Sequence, residues 1–387
     1  MYDDLPPTAD LRVLDPLTDG ANLLRTYHTA GRPIVARAPP EPIEDLSWLA
    51  RYRILGQLGY GSQGVVYLAE REGVDGYSTR VALKIFRRDP SASVEEYLAE
   101  MRRVALQAQR VSGIQHDNLV TIRDFVAIGE TRVMVLEFVD GLDLARLLDP
   151  RRHDGLRRAI GRKQWERLND VVVTAGEDHC RLKPGIAVDV VRGCLAGLSA
   201  LHHRGIVHCD MKPSNIMIKR TGTKKIIDID SSSSPAEKPE QVRGTPYYMA
   251  PEQLEGRAVQ LGSDIAALGY VLVEFLTGRL LFKECDSAAA LFEAKKTLPG
   301  RLAEILPAEV RRDDLLTRLI QKMIAIDPRD RFPDADAAEL DTAGAVSFHR
   351  RLVKMDLSTE YDRELAWWLD LLEAAEAGGG PPAGLEI

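Results

Sequence analysis

Three glycines, Gly59, Gly61 and Gly64, stand in the stretch LGYGSQGVVY with the spacing G-x-G-x-x-G. That spacing serves folds that differ in what flanks it. A dinucleotide fingerprint must open a helix, whereas GVVYLAE, which starts at the third glycine, is β-branched and a poor helix start. RYRILGQLG before it alternates as a strand does, and TRVALKIF after it has the same character. The glycines are therefore expected at the tip of a hairpin in a sheet, which argues against a dinucleotide-binding start. Backbone N–H groups in such a tip can face phosphates. A glycine-rich turn with no ligand satisfies the same pattern.

Beyond the hairpin the periodicity changes twice. Ser93 and Glu96 make a capping box, and Leu98, Met101, Ala105 and Ala108 follow at helical spacing. Two more strand-like runs, NLVTIRDFVAI and TRVMVLEFV, complete a small, mostly β part with one helix. After Gly141 the chain turns helical. Val191, Leu195, Leu198 and Leu201 share one helix face, short strands are expected at IVHC, NIMIK and KKIIDI, and helices dominate from Pro251. The last helix, STEYDRELAWWLDLLEAAEA, is expected to be capped by Ser358 and to bury a stripe of Tyr361, Leu365, Trp368 and Leu372. A flexible GGGPPAG tail follows it.

Composition narrows the function class. A net charge of −7 over 387 residues gives no support for nucleic-acid binding. Cys180, Cys194, Cys209 and Cys285 show no metal-ligand spacing, and the acidic start MYDDLPPTAD has no apolar leader core, so free thiols and a cytoplasmic location are expected. The best apolar window, Ile265 to Leu276, is too short for a bilayer and contains Glu274, so no membrane span is expected.

Several polar groups downstream suit phosphate chemistry. Lys84 ends VALK, and Glu100 on the capped helix is its expected carboxylate partner, Glu96 being used by the cap. Such a pair would hold the ammonium against α- and β-phosphate oxygens. In HCDMKPSN, Asp210 can accept a hydroxyl proton, Lys212 can neutralise a transferring phosphoryl group, and Asn215 can offer an amide oxygen to a metal ion. Asp228 follows Asp210 by eighteen residues in KKIIDIDSSSS as a second metal ligand, and GTPYYMAPE comes next.

In this order and spacing the motifs resemble the eukaryotic-like serine/threonine protein kinase family over about Tyr52 to Phe332. The resemblance implies an α+β, bilobal protein kinase fold, with a small β-rich N-lobe carrying one helix and a larger, mainly α-helical C-lobe. It implies an N-terminal extension over 1–50 and a kinase domain over 51–345, with lobes at about 51–139 and 140–345. A helical extension at 346–377 and a tail at 378–387 complete the expected layout.

The residue roles it implies are these. Gly59, Gly61 and Gly64 cover ATP phosphates; Val66, Ala82 and Met217 sandwich adenine; Leu136 is the gatekeeper. Glu137 to Val139 form the hinge, and Asp143 contacts ribose. Asp210 is the catalytic base, Asn215 and Asp228 hold Mg²⁺, or Mn²⁺ in its place, and protein substrates are the partners. Glu252 with Arg331 is a buried ion pair, and Asp264 anchors the catalytic loop. Lys212 and Thr245 favour serine/threonine acceptors. Low Lys with high Ala and Arg suggests a GC-rich bacterial source.

Two positions depart from the family pattern. H-R-D is His208-Cys209-Asp210, and cysteine cannot pair with a phosphate on the activation segment, so activity is expected not to require that phosphorylation. D-F-G is Asp228-Ile229-Asp230, where Asp230 replaces a freely rotating glycine and is expected to stiffen the segment. A nucleotide-binding pseudokinase acting as a signalling scaffold is the alternative. Arg151–Lys183 is a basic insertion, read either as a solvated helical excursion or as a docking site for an acidic partner. The Trp367/Trp368 helix is a second partner candidate, Trp367 lying off the buried stripe.

Overall fold

The β-branched runs pair as expected into one antiparallel sheet of order β1-β2-β3-β5-β4. Its strands are β1 (Tyr52–Gly61), β2 (Gly64–Glu72), β3 (Ser78–Phe86), β4 (Ile122–Ile128) and β5 (Thr131–Glu137), and helix α1 (Val94–Ser112) runs between β3 and β4 in the chain. The computed structural model describes residues 52–61, 64–88, 92–128, 131–235, 244–355 and 360–377. The extension at 1–50 and the tail at 378–387 lie outside the described residues. The described chain forms two units, one of 52–116 and 120–139 and one of 117–119 and 140–377.

In the first unit Val65, Tyr67, Ala69, Val81, Leu83, Ile85, Val133 and Val135 make one apolar cluster from the middle strands. Ser93 and Glu96 close the capping box at the start of α1, whose buried stripe is Tyr97, Met101, Val104, Ala108 and Val111. That stripe is rotated slightly from the expected one and includes Tyr97, which donates its hydroxyl to Phe86 O, at the end of β3, at 3.1 Å.

The second unit starts with β6 (Gly141–Asp143) and a short α2 (Leu144–Leu147). The inserted segment follows as α3 (Pro150–Ala159), α4 (Arg162–Val171) and the hairpin β7 (Val173–Thr174) and β8 (Arg181–Leu182). Next come α5 (Pro184–His202), a 3₁₀ turn at Pro213–Asn215, and β9 (Ile216–Lys219) with β10 (Lys224–Ile226). Strands β10, β9 and β6 pair in that order. Then follow α6 (Pro251–Leu254), α7 (Leu261–Thr277), α8 (Ala288–Ile305), α9 (Ala308–Arg311), α10 (Asp314–Met323), α11 (Ala335–Leu340), α12 (Ala345–Met355) and α13 (Tyr361–Glu376).

Helix α7 is the axis of this unit: every residue from Gly262 to Thr277 is buried. Helix α5 packs against it and places Val191, Leu195, Leu198 and Leu201 fully inside. By length and mean hydropathy (1.4) α5 could cross a membrane, but over half of that window is buried against neighbouring elements, as in the core helix of a globular domain. IVHC is not a strand. Val207 makes a single bridge to Ser233, and the next two amides turn to a side chain instead.

The inserted segment and the last helix pack on each other. Arg152 pairs with Glu376, and Arg167 pairs with Glu364 at 2.8 Å while its guanidinium sits 4.9 Å from the Trp367 ring. His153 and Trp368 have ring centroids 5.5 Å apart. Trp368 is fully buried and Trp367 half-buried, so part of the insertion and part of the last helix cover one another, while Arg151, Arg157, Arg158, Arg162 and Lys163 stay exposed. Of the expected stripe Leu365, Trp368 and Leu372 are buried, with Leu369 and Leu371 added, while Tyr361 is half-buried; α13 begins at Tyr361 with Glu360 at its N-cap, and Ser358 lies outside the described residues.

Candidate active site

The glycine stretch is a hairpin tip, with Gly61 opposite Gly64 and Gly59 opposite Val66. Gly64 has φ 154°, and a Cβ there would lie 2.0 Å from the Ile85 carbonyl oxygen, so β3 approaches too closely for any side chain. Val66 is in register with Lys84, and Ala82 with Leu136. Lys84 is 8% exposed, its Nζ 5.6 Å from the Phe86 ring. Glu100, on α1 in the same unit, takes both Nε and Nη2 of Arg103 at 3.1 and 2.9 Å. The Glu137 carboxylate accepts the Thr121 N–H at 2.7 Å, fixing the start of the expected hinge, and Val139 is buried.

In the second unit the loop from His208 to Asn215 is organised by one buried acid. Asp264 Oδ2 accepts the His208 N–H at 2.8 Å and lies 3.0 Å from His202 Nε2, while Oδ1 accepts the Cys209 N–H at 2.9 Å. These bonds hold Cys209 at φ 67°, a left-handed conformation that costs a non-glycine residue energy unless its surroundings enforce it. The Cys209 side chain packs with Val207 and Val259 as a small apolar filler.

Asp210 is the hub that results. Its Oδ2 accepts from Lys212 Nζ at 2.7 Å and from Asn215 Nδ2 at 3.1 Å, and its Oδ1 accepts the Thr245 hydroxyl at 2.9 Å. Lys212 Nζ also donates to Thr245 Oγ1 at 2.9 Å, closing a triangle of Asp210, Lys212 and Thr245. Asn215 spends a second N–H bond on the Asp210 carbonyl at 2.8 Å, so its amide oxygen is the atom turned away from Asp210. The Asn215 carbonyl accepts the Ile227 N–H at 2.9 Å, which sets Asp228 beside that loop.

Asp228 is half-buried at φ 65°. Asp230 is 1% exposed, and among the described residues only Asp75, Cys209 and Asp228 are non-glycines at positive φ. The conformation seen here thus places its left-handed residue at 228 and makes no glycine-like demand at 230. Ser231 and Ser232 are buried, Ser232 bonding Ile229 O through both its N–H (3.0 Å) and its hydroxyl (2.6 Å).

Asp143 and Met217 face each other across β6 and β9. Met217 is half-buried between the fully buried Ile216 and Ile218. The Asp143 carboxylate already caps α2, accepting Arg146 N–H at 2.9 Å, and pairs with the Arg146 side chain at 3.2 Å; burial raises its pKa against these two effects.

Deeper in the unit Glu252 and Arg331 form a two-pronged pair at 2.8 Å on both prongs. Burial raises the Glu252 pKa, but the Arg331 bonds outweigh it and hold the group below the ordinary carboxylate value. The segment from Gly244 to Met249 is fixed from beneath. Lys295, fully buried, donates to Tyr247 O at 2.6 Å with its Nζ 3.8 Å from the Tyr270 ring, and burial pulls its pKa well down. Tyr248 donates its hydroxyl to Glu274 Oε2 at 2.7 Å. Lys295 and Glu274 lie outside the motifs read from the sequence; a charge inside an otherwise apolar helical stripe was their only signal.

Residues 52–340 match the family model described as the protein kinase domain. The chain belongs to the protein kinase domain family. The chain is 29% identical over 336 residues to the serine/threonine-protein kinase PrkC of Bacillus subtilis, a match that covers 85% of this chain and 46% of that protein. It is 30% identical over 310 residues to the serine/threonine-protein kinase Pkn1 of Myxococcus xanthus (78% and 39%) and 27% identical over 305 residues to a probable serine/threonine-protein kinase PknB of Lactococcus lactis (78% and 43%). The chain spans less than half the length of these curated relatives.

Proposed function

We propose that this chain transfers the γ-phosphoryl group of ATP to serine or threonine hydroxyls of protein substrates. The observation that carries the reading is the triangle of Asp210, Lys212 and Thr245 with Asn215 bonded to its acid. A carboxylate held by three donors is fixed in orientation, and fixed orientation is what a residue that positions an acceptor hydroxyl and takes its proton needs. Lys212, already aimed at Asp210, neutralises charge gathering on the transferring group as the acceptor oxygen bonds phosphorus and the bond to the leaving oxygen breaks. The chain's similarity to proteins named serine/threonine kinases supports the choice of acceptor.

The first unit contributes the hairpin glycines, whose N–H groups suit phosphate oxygens, and Lys84, with Glu100 as the acid expected to steady it. Val66, Ala82, Leu136 and Val139 are the first unit's apolar candidates for adenine contact, and Met217 is the second unit's. Asp143, whose carboxylate also caps its helix, is the candidate ribose acceptor.

The donor set suits a magnesium ion. Asn215 turns an amide oxygen outward and Asp228 adds a carboxylate on the adjoining segment. Among the described residues no cluster of three or more His, Cys, Asp or Glu side chains could hold a metal alone. Magnesium commonly keeps phosphate oxygens and water in its shell, so two protein oxygens are enough, and Mn²⁺ suits the same donors. When bound, the ion neutralises phosphate charge; Asn215 and Asp228 fix where it sits.

We further infer that activity does not wait on phosphorylation of the segment after Asp230. Cys209 is packed into an apolar cluster and offers no cation to a phosphate, while Asp210 is oriented without one. Replacing Ser231, Ser232, Ser233 and Ser234 by alanine should leave phosphoryl transfer within about threefold; abolished transfer would overturn this part. The four free thiols, three of them buried, favour a reducing, cytoplasmic setting.

Incubation with labelled ATP and Mg²⁺ tests the main reading. Wild type should label a protein acceptor on serine or threonine, and Asp210→Ala and Lys84→Ala should lose the label. Nucleotide-dependent thermal stabilisation with no transfer would instead establish the scaffold alternative.

A further inference from the structure

The inserted segment reaches the peptide-receiving part of the kinase domain through one histidine. Between β7 and β8 the loop docks on the C-terminal end of α7. Asp178 and His179 donate their backbone N–H groups to Gly278 O at 2.8 and 3.2 Å. Asp178 takes Lys283 at 2.6 Å and the Leu280 N–H at 2.9 Å, and Glu177 takes Arg279 at 2.6 Å. Gly278, at φ 66°, ends α7 with its N–H on Glu274 O, and a Cβ there would lie 2.6 Å from His179 O. The docking is thus backbone against backbone, and it fixes where the imidazole points.

That imidazole divides its two nitrogens. Nδ1 lies 2.8 Å from Cys180 O and Nε2 lies 3.1 Å from Glu274 Oε1. The other Glu274 oxygen holds the Tyr248 hydroxyl. Tyr248 and Met249 in turn bond their amides to Thr245 O at 2.9 and 3.1 Å, and Thr245 touches Asp210. A continuous chain of bonds therefore runs from the insertion to the base. The His179 and Glu274 side chains are 13% and 5% exposed, so solvent screens this link little.

We propose that His179 is a positioning residue that fixes the acceptor-binding segment Thr245–Met249 by locking the Glu274 carboxylate on which Tyr248 rests. The inference rests on the kinase reading only for its catalytic consequence. The charged groups around His179 are Glu274 of α7, Asp178 and Glu177 of its own loop, and Lys283 and Arg279 after α7, with the Tyr248 hydroxyl beyond Glu274. Burial pushes the His179 pKa down, but the hydrogen bond and charge of Glu274 win and leave it above the ordinary histidine value. The imidazolium lock is complete below that ordinary value and weakens as pH rises through the raised one.

Amide hydrogen exchange and steady-state kinetics on the full chain test this. In His179→Ala, protection factors of the Tyr248 and Met249 amides should fall about tenfold at pH 6.5, on the scale of losing one buried charged hydrogen bond. kcat/KM for a protein acceptor should fall similarly, with KM for ATP unchanged. His179→Gln, which keeps a donor, should restore most of the protection and abolish its decline toward higher pH. Unchanged protection in a folded His179→Ala protein, or equal losses in both variants, would overturn the proposal. Wild-type protein that transfers no label would overturn the kinase reading and still leave the protection factors to decide on His179.

Discussion

Two neighbouring tryptophans offer a sharp test of the packing between the insertion and the last helix. Trp368 is fully buried, with its ring 5.5 Å from that of His153; Trp367 is half-buried under the Arg167 guanidinium. A buried tryptophan removes roughly 200 Å² from water. At about 25 cal/mol per Å² that is about 5 kcal/mol as an upper bound. Truncation to alanine keeps the Cβ and lets the site relax partly, giving about 3–5 kcal/mol for Trp368→Ala. Trp367→Ala loses a cation–π contact and part of a face, about 1 kcal/mol. Urea unfolding followed by far-ultraviolet circular dichroism measures both, as a lowered midpoint at unchanged slope. Because α13 lies on α3, hydrogen exchange in 150–159 should accelerate in Trp368→Ala alone. Equal costs for the two variants, or a cost for Trp368→Ala below about 1 kcal/mol, would refute the account of mutual burial.

Three further outcomes follow from the site. Gly64→Ala forces a Cβ to 2.0 Å from Ile85 O at a backbone angle that alanine resists, and should cost at least about 2 kcal/mol in the first unit by chemical denaturation. Arg331→Met leaves Glu252 buried without its partner and should cost about 3–5 kcal/mol, much of it recovered in Arg331→Met with Glu252→Met. Since Glu252 is held below its ordinary value of 4.5, its contribution is complete above that value and fades as pH falls through the lowered one, so an acid titration of wild-type stability should steepen there and flatten in the double variant. Thr245→Ala removes a donor to Asp210 and should lower kcat roughly tenfold with little change in KM for ATP, whereas Thr245→Ser should restore activity to within about threefold.

Much of the fold was legible because its signals are local. β-branched alternation gave the sheet, and Ser93 with Glu96 gave the start of α1. The loop motif was legible for the same reason: Asp210, Lys212 and Asn215 lie within six residues of each other, so their convergence needs only a tight loop. IVHC misled because its composition suits a strand, while its amides are claimed by Asp264, more than fifty residues on. The insertion is helical, as one of its two readings expects, but what it packs on is not legible for a related reason. Arg152 and Arg167 look like a solvated basic face until Glu376 and Glu364, about two hundred residues later, come to meet them. At Asp230 the missing glycine points to a backbone anomaly, but the left-handed angle belongs to Asp228, a distinction that composition does not carry. His179 gave no signal, since its role exists only through Glu274, which a helix brings to it from 95 residues away.

The most direct test of the central claim is to separate nucleotide binding from transfer at Asp210. Wild type and Asp210→Asn are each given ATP and Mg²⁺, and thermal shift and phosphoryl transfer to a protein acceptor are read on the same samples. The account predicts equal nucleotide-dependent stabilisation in both proteins, with transfer to serine or threonine in wild type and a loss of at least about a hundredfold in Asp210→Asn, the scale on which a general base contributes. Equal transfer by the two proteins, or stabilisation in both with transfer in neither, would contradict it.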